Sequence, residues 1–141
     1  MIFTIVGGAL VLLSAYGAIK RDRRLYLSGF FFYSILPIIG ESMSYSVNKT
    51  SIHVLMVFTF IAQFVLQIPD KNLYGRENLP ATTLATKIGL AVLVINAGAA
   101  VAIFCLNLGA PVQFGYYHVA FALIVIYVMI RRFTSNIGWA K

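Results

Sequence analysis

Long apolar runs separated by short polar or basic breaks make up nearly the whole chain. The first run covers residues 2–19 and ends at the cluster Lys20, Arg21, Arg23 and Arg24. The second covers 25–46, and the third 52–68, stopped by Pro69 and Asp70. After the longest polar break, DKNLYGRENLPATT, a fourth run covers 84–106, and a fifth covers 114–130, ended by Arg131 and Arg132. A helix needs about 20 residues to cross a hydrocarbon core about 30 Å thick. In lipid every backbone polar group must be satisfied within its own segment, and no alternating barrel pattern is present, so these runs predict helices. The expectation is an all-α membrane protein, residues 1–141 forming a single bundle of five transmembrane helices.

Composition supports lipid as the solvent. Charged residues make up 11% of the chain and mean hydropathy is +0.88, whereas soluble domains carry about 25% charge. The net charge of +7 raises a nucleic-acid partner, but the cations fall in the breaks between apolar runs rather than in one patch, so none is expected. The first run is as long as a signal peptide, yet its basic residues follow the apolar core instead of preceding it, which marks an uncleaved helix. Basic loops stay cytoplasmic. With the N-terminus outside, five spans put Lys20, Arg21, Arg23, Arg24, Lys71, Arg76, Lys87, Arg131, Arg132 and Lys141 inside and only Lys49 outside, ten of the eleven basic residues on one side. The C-terminus is then cytoplasmic, and the expected location is a plasma (inner) membrane of prokaryotic type. Tyr26, Tyr74, Tyr116, Tyr117 and Trp139 lie near the proposed boundaries, where amphipathic rings are favoured.

The few polar residues inside the runs fall at helical spacing. Ser34, Pro37, Glu41, Ser44 and Asn48 form one stripe of the second run, with Phe30 to Phe32, Ile35 and Ile39 left for lipid. His53, Met56, Phe60, Gln63 and Gln67 form one of the third. Such faces turn inward, because an unpaired polar group in hydrocarbon costs several kcal/mol. Gln63 and Asn96 both lie near mid-span and are expected to hydrogen-bond across helices. On the fourth run Gly89, Asn96, Ala100 and Asn107 share a side, and Gly98 with Ala102 forms a small-residue pair suited to close helix approach. Cys105, the one cysteine, excludes an intrachain disulfide and reads as a buried small apolar residue.

Glu41 is one of four acidic residues. At about 1.5 Å per residue it lies about 25 Å above Arg24, in the outer part of the membrane, where Pro37 and Gly40 loosen the helix. His53, His118, Tyr45, Tyr116 and Tyr117 fall at similar depth. Three uses of this cluster follow from its chemistry: a structural pair of Glu41 with His53, a protonatable site for ion or proton coupling, or a haem, metal or quinone site using His53 and His118, with Glu41 as a third metal ligand. Catalytic signatures such as GxSxG, HExxH, the P-loop and GxGxxG are missing, and the sequon at Asn48 to Thr50 is too close to the membrane for glycosylation. The functional expectation is a structural or accessory subunit of a larger membrane complex, with other membrane subunits or further copies of itself as partners and no cofactor predicted. A small oligomeric transporter or channel using Glu41 is the alternative, and the cofactor reading comes third.

Overall fold

The computed structural model describes residues 2–69, 83–106, 109–135 and 139. Among them the chain forms five helices: α1 (Ile2–Lys20), α2 (Arg23–Asn48), α3 (Ser51–Leu66), α4 (Thr83–Leu106) and α5 (Val112–Ser135). Four of these, α1, α2, α4 and α5, are long and apolar enough to cross a membrane. The third is shorter than its apolar run. α3 has 16 residues and stops at Leu66, not Ile68, because the residue before a proline is pushed out of the α region, and that proline is Pro69. The polar break at 70–82, with Lys71, Tyr74 and Arg76, lies outside the described residues, as do Asn107 and Lys141.

The connections are tight. α1 hands over to α2 through Arg21 and Asp22 alone: Arg21 takes a left-handed φ of 59°, and the Asp22 amide donates to the Gly17 carbonyl at 2.8 Å. This is a helix-ending turn that satisfies carbonyls left over at the C-terminus of α1. Asp22 then caps α2, its carboxylate accepting from the Leu25 amide at 3.2 Å. Lys49, also left-handed, closes α2, its amide donating to the Tyr45 carbonyl at 2.9 Å, and α3 starts two residues later.

Each helix packs on its neighbour in chain order, and α5 returns to α1, so the five close into a ring. Its interior is aromatic on one side: Phe30, Tyr33 and Phe121 are fully buried, with ring centroids of Phe30 and Tyr33 4.4 and 4.6 Å from Phe121. Phe30 therefore does not face lipid as its place in the FFF run suggests. The outward positions are Phe32 and Ile39, while Phe31 stacks on Phe64 of α3 at 4.1 Å. α1 and α2 approach each other closely. A Cβ on Gly17 would collide with the Tyr26 backbone, and one on Gly29 with the Ser14 side chain; Ser14 Oγ also donates to the Tyr26 carbonyl at 2.7 Å. Gly98, by contrast, is exposed with nothing near it, so it does not join Ala102 in a close contact. Cys105 is exposed too, on the outward side of α4 with Val101 and Phe104. At the end opposite the first turn of α2, the apolar perimeter continues through exposed Val47 and Val112.

Candidate functional site

Hydrogen bonds join four of the helices at the middle of the bundle. Asn96 on α4 fixes their direction. Its Nδ2 donates to the Val92 carbonyl one turn earlier at 2.8 Å and to Gln63 Oε1 of α3 at 2.6 Å. That orientation turns Oδ1 toward His118 Nδ1 of α5, 2.9 Å away, and since an amide oxygen only accepts, the proton belongs on Nδ1. Nε2 of the same neutral ring is then an acceptor and faces the Tyr33 hydroxyl of α2 at a longer 3.5 Å. In the other direction, Gln63 Nε2 donates to Ser34 Oγ at 3.0 Å, and Ser34 donates to the Phe30 carbonyl at 2.8 Å. Tyr33 and Ser34 are chain neighbours, so the path leaves α2, passes through α5, α4 and α3, and returns to α2. Every donor along it points the same way, an arrangement in which each bond polarises the next. All five side chains are at most 1% exposed.

Glu41 lies apart from this path, toward the opposite end from Arg23. It accepts from His53 Nδ1 at 2.6 Å, and both side chains are buried. Beside the pair is a cavity of about 150 Å³, with Pro37, Glu41 and Ser44 on one wall, Met56 and Phe60 on another, and His118 also reaching it. Gly40 lines it as well, and a Cβ there would meet nothing. The cavity therefore touches the carboxylate of the pair, Glu41, and one member of the polar path, His118.

The tyrosines singled out in the sequence go elsewhere. Tyr45 is 39% exposed, with Lys49 Nζ 5.3 Å from its ring centroid. Tyr117 donates to the Thr4 carbonyl at 2.9 Å and covers Gly7 and Gly8, tying α5 to α1. Tyr116 is exposed. His53 and His118 do not share a ligand position: both ring nitrogens of His118 face protein partners, and His53 Nδ1 is held by Glu41. Among the described residues no three His, Cys, Asp or Glu side chains are grouped to hold a metal ion, so Glu41, His53 and His118 do not make the three-ligand set that their common depth suggests.

Tyr33 was not distinguished by the sequence. It sits in the aromatic run FFFYS, where a phenol at a buried turn looks like one more ring. Its one signal is adjacency to Ser34. Comparisons with protein-family models, curated proteins and solved structures give no match.

Proposed function

We propose that this chain is a structural or accessory subunit of a larger membrane complex, a bundle with its N-terminus outside and its C-terminus cytoplasmic in a plasma membrane of prokaryotic type. The observation that supports this reading is the buried polar path through Tyr33, His118, Asn96, Gln63 and Ser34. A carrier needs an element with two arrangements of similar free energy. Here, moving any one of four helices breaks at least one buried hydrogen bond, and each broken bond leaves a polar group without water to replace it. The path is also a poor proton wire, because two of its links are carboxamides, which give up a proton only by passing through an unfavourable imidic acid form. It holds helices together rather than moving charge. Exposed apolar side chains cover the perimeter, which suits contact with lipid and with other helices.

The test is the mass of the particle extracted from its own membrane in native nanodiscs. A complex with other polypeptides at fixed stoichiometry is expected. Integer multiples of 15.6 kDa alone would overturn the subunit reading.

A second reading, ion- or proton-coupled transport, is favoured by a separate observation, the cavity lined by Glu41. Glu41→Gln distinguishes the two. In the subunit reading the amide keeps a hydrogen bond to His53 and assembly persists, with no loss of function. Loss of flux or of cellular function in a variant that still folds and assembles favours transport, since only the charge has gone.

A further inference from the structure

The cavity of about 150 Å³ at Glu41 has one charged side chain on its wall, that of Glu41 itself. His53 is not part of the wall. It holds Glu41 Oε2 at 2.6 Å from outside the cavity, so the end of the pair that meets the cavity is the carboxylate, whether the imidazole is neutral or charged. Among the described residues Oε1 has no hydrogen-bond partner. A carboxylate oxygen only accepts, so whatever satisfies it must be a donor, and the sign of the wall attracts a cation and repels an anion. Lys49, further along α2, does not fill that place: it lies over the Tyr45 ring, 5.3 Å from the centroid.

Apart from Ser44 and His118, the rest of the wall is apolar. Both nitrogens of His118 face Asn96 and Tyr33, so toward the cavity it contributes ring surface. Phe60, Phe114 and Met56 stand with it. Aromatic faces attract a desolvated cation, and a flexible thioether adapts to irregular shapes. One water needs about 10–15 Å³ by the same measure, which leaves room for about ten non-hydrogen atoms. A bare metal ion would leave most of that volume empty and would meet one carboxylate where it needs several ligands. Gly109 and Pro111, exposed between α4 and α5, form one edge of the cavity, so a ligand can arrive from water at this end of the bundle.

We propose that this cavity binds a small organic ammonium ion with an apolar body, its N–H donating to Glu41 Oε1 and its hydrocarbon lying against Phe60, Met56 and Phe114. The inference shares Glu41 with the transport reading but requires only binding.

The test uses the full chain in non-ionic detergent, labelled at the methionine methyls and followed by NMR. Met56 lines the cavity, Met129 lies at the basic end, and Met43, 65% exposed on the perimeter, reports partition into detergent. Benzylamine at neutral pH, where it is protonated, is compared with benzyl alcohol of the same shape and with benzoate. Benzylammonium is expected to shift the Met56 methyl saturably at concentrations at least about tenfold below those of the alcohol, the least that a charge-assisted hydrogen bond supplies, and benzoate not to shift it. Glu41→Gln, checked for helix content by circular dichroism, should remove the difference between amine and alcohol. Equal affinity of the two on the native chain would overturn the proposal, as would a response at Met43 or Met129 without one at Met56, or a preference that survives Glu41→Gln. The native-chain comparison decides without the variant if the Gln form does not fold. Binding without flux keeps the site and counts against transport, whereas flux of protons with no ammonium binding keeps transport and removes the site.

Discussion

Asn96 is held from three sides. Fully buried, it makes three hydrogen bonds, one to its own helix and one each to α3 and α5. Gln63 is its partner toward α2. Removing either amide leaves the other with a buried group to satisfy, so Gln63→Ala and Asn96→Ala are each expected to destabilise the protein by about 1–2 kcal/mol. The second substitution should cost less once the first is made, because the shared bond is already gone; the coupling expected is about 1 kcal/mol. Unfolding by denaturing detergent, read by circular dichroism, measures all four forms, and strict additivity would mean that the bond contributes nothing. Arg131 shows a different solution at the basic end. Its Nη1 donates to the Ala18 carbonyl in the last turn of α1, where a cation also meets the negative end of the helix dipole. Its guanidinium lies over the Trp139 ring, 5.1 Å from the centroid. A basic residue that the charge pattern assigns to a loop is thus 9% exposed and packed.

At the scale of the helices, small residues decide how near two axes come, but only where a neighbour is present. Gly17 and Gly29 face backbone or a short side chain of the adjoining helix, whereas Gly40 and Gly98 face open space. Gly17→Ala and Gly29→Ala should therefore separate α1 from α2 and destabilise the protein by about 1–3 kcal/mol, the range for overpacked sites. Gly98→Ala should be neutral or stabilising by up to about 1 kcal/mol, since alanine holds a helix better than glycine. The same detergent titration applied to all three reads the difference, and an equal loss at Gly98 and Gly17 would contradict the packing. Length matters as well. At 16 residues and about 1.5 Å each, α3 reaches about 24 Å, less than the hydrocarbon core of about 30 Å. It is nonetheless the helix that supplies both His53 and Gln63.

For the whole molecule, charge segregates along the bundle axis. Among the described residues, Lys20, Arg21, Arg23, Arg24, Lys87, Arg131 and Arg132 fall at or next to helix ends on one side, while Lys49 falls at the other end of α2. Reporter fusions after Lys20, Lys71 and Lys141 are expected to read cytoplasmic, and one near Lys49 external. A cytoplasmic signal at Lys49 would overturn the proposed orientation and would place the cavity beside Glu41 on the inner side.

The sequence by itself determined the all-helical class and the approximate extent of the helices, because in lipid a long apolar run has no other way to satisfy its backbone. It also marked the inward face of α3: His53, Met56, Phe60 and Gln63, spaced at helical intervals, are the buried residues of that helix. Depth could be read as well, since rise per residue is fixed, and it brought Glu41 and His53 to one level. What periodicity cannot supply is the rotation of each helix about its axis or the identity of its neighbour. Those choices put Phe30 inside and Cys105 outside, passed over Gly98 in favour of Gly17 and Gly29, and turned Tyr117 toward Thr4. They also brought Tyr33 to His118. That contact depends on two residues 85 positions apart in the chain and on the tautomer that Asn96 imposes, and only the packed bundle decides either.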